Sequence, residues 1–220
     1  MNRLRPSRLI ALSFVAFAAS CASPEAAESR PALAYLDRPA EAWVADFKEA
    51  DQPKREAAVD ALVKIGPATL PLVMPELDDN DPHVRYSAVA TVARFEAEGL
   101  AAAAQVAERV GDPDASVRAH AAFALKQLGV GSAPEGLAPL CGALKDQDWY
   151  VRWRAVEALH VYGADAYPEG FEALRAIERI DRDWRVRKDA AIAADHIEAE
   201  HRRLDQNAFR RGRRRDAGSY

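Results

Sequence analysis

The chain has only two cysteines and two methionines, and aromatic residues make up 8% of its 220 positions. A disulfide-stapled fold is excluded, since such frameworks use more cysteines than this. Long runs of β-branched residues are nearly absent, which leaves a large sheet without a source. There is no glycine-rich phosphate loop, no nucleophile elbow and no cysteine–histidine pair at catalytic spacing, so nothing marks an enzyme. His196 and Glu200 lie four apart on a helical pattern. They supply two ligands where a zinc site takes three or four. No metal and no cofactor are expected. What is plentiful is alanine, the best helix former, which also lets helices approach closely. Cys141, in the helical run Leu140-Cys141-Gly142-Ala143-Leu144, reads as a small buried apolar residue.

Charge is segregated. Residues 1–20 hold three arginines and no acid, and residues 201–220 hold seven arginines against Asp205 and Asp216. The whole chain carries −4, so residues 21–200 carry −12. Nucleic-acid binders place a basic face on their folded part, so this acidic body argues against that partner.

Arg3, Arg5 and Arg8 precede an apolar stretch from Leu9 to Ala19. Eleven residues cannot span a bilayer, which needs about 20, but they suit a signal peptide. The run Ala18-Ala19-Ser20-Cys21 resembles the bacterial lipobox, in which small residues precede a cysteine that is lipidated. The resemblance implies a signal peptide over 1–20, lipidation at Cys21 and membrane attachment by acyl chains. Ala22 follows the cysteine where an inner-membrane retention signal would have aspartate, so the outer membrane, facing the periplasm, is the expected address. Residues 21–38 then form a tether.

The body repeats. Arg55, Arg85, Arg118, Arg152 and Arg187 are spaced by 30, 33, 34 and 35 residues. Alanine stands three after each (Ala58, Ala88, Ala121, Ala155, Ala190) and aspartate four before (Asp51, Asp81, Asp114, Asp148, Asp183). Six before is again an acid: Glu49, Asp79, Asp112, Asp146, Asp181. Valine precedes four of the five arginines, with Lys54 as the exception. Positions −1, +3, +7 and +10 relative to each arginine recur every three or four residues and so mark one buried helical stripe. The aspartate at −4 fits a helix N-cap. The ten arginines and aspartates at 0 and −4 are expected to pair between neighbouring repeats as a ladder. Each such helix follows another apolar segment opened by proline or glycine, so each repeat holds two helices. Pro71 and Pro75 predict a broken first helix in the second repeat.

The runs Asp79-Asn80-Asp81-Pro82-His83-Val84-Arg85 and Asp112-Pro113-Asp114-Ala115-Ser116-Val117-Arg118 resemble the HEAT-repeat signature, and the short period is similar to bacterial repeats of the phycobilisome-lyase-like kind. The fold is read as an all-α solenoid of about five helix-turn-helix repeats over residues 39–203, followed by a basic disordered tail at 204–220. The resemblance implies a protein-binding scaffold or adaptor of the cell envelope that uses its concave face. The alternatives it carries are a lyase-like or cofactor-handling protein and, second, a nucleic-acid-binding one.

Aromatics crowd repeats four and five. Trp149 and Trp184 share position −3, where packing between repeats accounts for them. Trp153 lies off the buried stripe. Together with Tyr86, His120, Phe123, Arg154 and Glu157 it is the candidate partner-binding groove, since exposed aromatics and arginine dominate binding hot spots. Arg210, Arg211, Arg213, Arg214 and Arg215 suit contact with an anionic surface.

Overall fold

The computed structural model of the protein describes residues 33–216, with side chains through 209. A two-residue hairpin, β1 (Ala34–Tyr35) and β2 (Arg38–Pro39), leads into α1 (Ala40–Ala45). Helical pairs follow: α2 (Gln52–Ile65); α3 (Leu70–Val73) and α4 (Pro82–Arg94); α5 (Ala103–Arg109) and α6 (Ala115–Leu128); α7 (Ala133–Ala143) and α8 (Trp149–Tyr162); α9 (Glu169–Ile180) and α10 (Trp184–Asp216). With α1 and α2 as the first pair, this is an all-α solenoid of five HEAT-like repeats. The second helices α2, α4, α6, α8 and α10 pack side by side. Among the described residues no single helix is long and apolar enough to cross a membrane.

The buried stripe lies where the period puts it. The valines at −1, the five alanines at +3 and Leu62, Val92, Leu125 and Leu159 at +7 are fully enclosed. Each buried leucine contributes about 1.5–3 kcal/mol. Only Ile65 among the +10 residues is half-buried.

Ends are set by local chemistry. Asp81, Asp114, Asp148 and Asp183 each accept a backbone N–H two residues on, at 2.8–2.9 Å, holding orphan donors of the first turn. Asp51 makes no such bond, so the first repeat starts without a side-chain cap. At position +11, Gly66, Gly129 and Gly163 take φ of 104°, 74° and 54° and end α2, α6 and α8. The same position in the second repeat is Glu96, at φ 49°, where a side chain crowds the backbone. In the last repeat it is Glu198, and α10 does not stop. The helix runs through to Asp216 where an irregular tail was expected from 204. Side-chain pairs of i,i+4 spacing, Arg202 with Glu198 and His201 with Asp205, support this extension. The expected tether also ends early, because residues 34–39 form the hairpin.

Prolines shorten the first helix of the second repeat. Around Pro71 and Pro75 the second repeat has only the four residues of α3 between two 3-10 turns, at 67–69 and 74–78. In the third repeat residues 96–102 are a 3-10 helix and only 103–109 are α-helical.

The ladder exists, but its acids are those at −6. Arg85 forks onto Asp112 of the next repeat, with Nε and Nη2 each 2.7 Å from a carboxylate oxygen. Arg118 binds Asp146 and Arg152 binds Asp181 in the same way. Nη1 of each arginine donates to the carbonyl six residues back in its own repeat. Each −6 carboxylate also accepts the N–H of the capping aspartate two residues later. Asp81, Asp114, Asp148 and Asp183 are therefore caps and Asp51 is neither cap nor rung. Asp79 is taken by Lys48 at 3.2 Å, and among the described residues Arg55 has no inter-repeat carboxylate and bonds only the Glu49 carbonyl.

Candidate partner-binding groove

The second helices present their +1, +2 and +5 side chains to one face, because these positions lie opposite the buried stripe. Across this face runs a groove of about 610 Å³ between α2, α4 and α6. Val59, Tyr86, Ala90 and Phe123 form its apolar wall, with Arg55, Glu56 and His83 at its rim. A smaller depression of about 420 Å³ continues toward α8, bounded by Tyr86, His120, Tyr150 and Arg154.

Tyr86 and His120 are shared by both hollows. Their rings lie 4.5 Å apart, and Phe123 follows at 5.4 Å. The Arg154 guanidinium sits 4.7 Å from the Phe123 ring, 4.9 Å from Tyr150 and 5.0 Å from Trp153. Glu157 accepts from Arg154 at 2.9 Å and from Lys126 of the previous repeat at 2.6 Å. The six candidate residues are thus one connected cluster, but they do not play one role. Tyr86, His120 and Phe123 line the larger groove, and Arg154 lines only the smaller hollow. Trp153 and Glu157 line neither. Trp153 donates its indole N–H to Asp189 at 2.7 Å and so braces α8 against α10.

Burial and the charge of Arg154 push the His120 imidazole down to about 4. At neutral pH it is uncharged and presents one donor and one acceptor. Among the described residues no hydrogen bond reaches its ring nitrogens. Burial raises the Tyr86 hydroxyl above its ordinary range.

Tyr150 is the residue that spacing missed. It is exposed, 5.7 Å from Trp153, and completes the aromatic run. Its position at −2 lies within the first turn of α8, outside the +1, +2 and +5 set, and only the side-by-side packing of α6 and α8 brings it to the face. Trp149 and Trp184 are not packed away between repeats. Trp149 is 37% exposed beneath the Arg185 guanidinium, 3.7 Å from its ring, and Trp184 is 63% exposed.

Cys141 is half-buried with a free thiol, and burial raises it to about 11. Its thiolate, the reactive form, is scarce at neutral pH. Among the described residues no three His, Cys, Asp or Glu side chains gather as a metal set. His196 and Glu200 approach to 3.7 Å. Cys21 and the expected signal peptide over 1–20 lie outside the described residues. The side chains of Arg210 to Arg215 do too, although their backbone is helical.

Residues 103–195 match the sequence profile of the family described as HEAT repeats. No curated protein sequence matches the chain. Among solved structures, the complex of CpcE and CpcF of phycocyanin lyase from Nostoc sp. PCC7120 is similar, with a TM-score of 0.60 and 22% identity over 70% of this chain and 96% of that one. A designed armadillo repeat protein in complex with the peptide (KR)4 has a TM-score of 0.56 and 19% identity over 71% of this chain and 81% of that one. An engineered protein has a TM-score of 0.57 and 20% identity, covering 73% and 79% respectively. These likenesses establish the helical-repeat solenoid.

Proposed function

We propose that the chain is a non-enzymatic scaffold of the bacterial cell envelope that binds a protein segment in the groove of Tyr86, His120 and Phe123. One observation carries the reading. An apolar groove crosses three consecutive second helices and contains an imidazole whose nitrogens no described residue bonds. Aromatic walls and an unspent polar group are what a partner segment needs for affinity and register. The designed armadillo repeat protein, which holds a peptide, supports such use of this fold by analogy. The envelope location rests on the basic and apolar leader and on Cys21, and the arginines from Arg210 to Arg215 are the proposed contact with an anionic surface.

The second reading, a lyase-like or cofactor-handling protein, is favoured by the likeness to the phycocyanin lyase complex. It lacks a reactive thiol in the groove, since Cys141 lies on α7 and outside the lining of both hollows.

A photo-crosslinking residue placed at Tyr86 in living cells tests the proposal, with Glu108 on α5 as the control position. A single protein captured at Tyr86, absent at Glu108 and lost on Phe123→Ala, is the expected result. Equal capture at both positions overturns the groove. Release of the chain from membranes by Cys21→Ala is the parallel expectation for the anchor, and unchanged membrane association overturns it.

A further inference from the structure

Each internal rung of the ladder shows what a repeat needs on its C-terminal side. Arg85, Arg118 and Arg152 fill their Nε and Nη2 forks with an aspartate of the next repeat. The Trp149 ring is roofed by Arg185 of the next repeat. At the last repeat both features recur without their covers. Arg187 donates Nη1 to the carbonyls of Asp181 and Arg182, but among the described residues its Nε and Nη2 have no acceptor. Trp184 stands open, and Ile180 beside it at the end of α9 is 77% exposed.

The N-terminal edge is treated differently. Lys54 replaces the buried valine of the other repeats, and the hairpin is tied to α2 by Lys64, which donates to the Tyr35 hydroxyl at 2.9 Å. A charged residue at a stacking position blocks the approach of another repeat. One edge is closed and the other is open, so head-to-tail stacking of copies is disfavoured.

The open edge is complementary to itself. The outward stripe of α10 reads Trp184, Lys188, Ala191, Asp195, Ala199 and Arg202, with steps of four, three, four, four and three. Such spacing keeps one helix face against a partner helix. Turned about a two-fold axis near Ile192, which is exposed, an antiparallel copy sets Lys188 opposite Asp195, and Asp195 opposite Lys188. In the same register the exposed Trp184 lies opposite Ala199 of the copy, whose small side chain leaves room for the ring. Ala191 and Ala199 permit close approach. Arg175 of α9 pairs with Asp195 on this face, beside Glu198. We infer that the C-terminal edge is a dimer face on which two copies of this chain pack α10 against α10, with the isologous pairing that two-fold symmetry requires.

The test is sedimentation velocity on the full-length chain in mild detergent, from about 1 to 100 µM, a range that brackets micromolar dissociation constants. A concentration-dependent dimer is expected. Lys188→Asp puts like charges together twice and should weaken it about tenfold or more. Lys188→Asp with Asp195→Lys restores the pairing and should return affinity to within about threefold. Lys188 is exposed, so thermal unfolding of Lys188→Asp should be little changed, and this separates loss of pairing from loss of fold. Ile192→Cys, near the axis, should give a reducible linked dimer where Tyr86→Cys does not. A monomer throughout the range overturns the inference. So does a dimer that is indifferent to Lys188→Asp and gives no Ile192→Cys crosslink. Neither result bears on the groove, which lies on the face shared by α2, α4 and α6.

Discussion

Arginine does different work in two regions of this solenoid. Along the ladder, Arg118 and Asp146 are each about a tenth exposed, and the guanidinium spends its donors on one carboxylate and the carbonyls of Asp112 and Pro113. On the second-helix face, Arg154 lies over three rings at the edge of the smaller hollow. Ladder residues recur in every repeat because every repeat boundary poses the same problem. Face residues do not recur: position +1 holds Glu56, Tyr86, Ala119, Trp153 and Lys188. Periodicity marks what folds the chain, and its interruption marks the face on which binding is proposed.

The comparison breaks most visibly at Arg118. Arg118→Ala leaves Asp146 buried without its partner and should cost about 3–5 kcal/mol in urea unfolding. Arg154→Ala should cost about 1 kcal/mol or less, because its ion pair is partly solvated, while abolishing capture at Tyr86. Equal losses of stability would erase the distinction between the two regions.

Acid separates them next. The folded chain holds His120 near 4 against an ordinary 6.5. Between those values the unfolded chain takes up a proton that the folded chain refuses, so stability should fall as pH drops across that window. His160, also lowered by burial, adds in the same direction. In the ladder, burial raises Asp146 and Asp181, but the hydrogen bonds from Arg118 and Arg152, the backbone N–H groups of Asp148 and Asp183 and the arginine charges together outweigh it, leaving both below 3.8. Their contribution is complete above 3.8 and is lost only as pH falls below it. Unfolding midpoints measured from pH 7 to 3 should show two limbs, and His120→Gln should flatten the upper one alone.

Helix ends give the smaller effects. Asp114→Ala removes a working cap and should cost about 1 kcal/mol, whereas Asp51→Ala should be nearly neutral. Glu96→Gly relieves a side chain held at φ 49° and should raise stability by about 0.5–1 kcal/mol. A destabilised Glu96→Gly would mean that the 3-10 segment after α4, rather than this residue, sets that turn.

Much of this was legible beforehand, for physical reasons. The stripe at −1, +3 and +7 depends only on helical pitch, so the core could be read from spacing. The broken first helix of the second repeat followed from Pro71 and Pro75. The six groove candidates were found because the residues opposite a buried stripe must face outward. Their division into Tyr86, His120 and Phe123 as walls and Trp153 as a brace could not be read, because it depends on which neighbour each ring meets. Tyr150 was missed for the same reason.

By itself, then, the sequence determined the repeat, the helix pairs, the caps from Asp81 onward and the inward face of every second helix, since all of these are local consequences of pitch and of orphan backbone donors. Only the tertiary structure decided that each ladder arginine reaches the acid 27 to 29 residues ahead rather than a capping aspartate. The same holds for the empty fork of Arg187. The choice of carboxylate is set by how one repeat sits on the next, a distance in space that no spacing along the chain encodes.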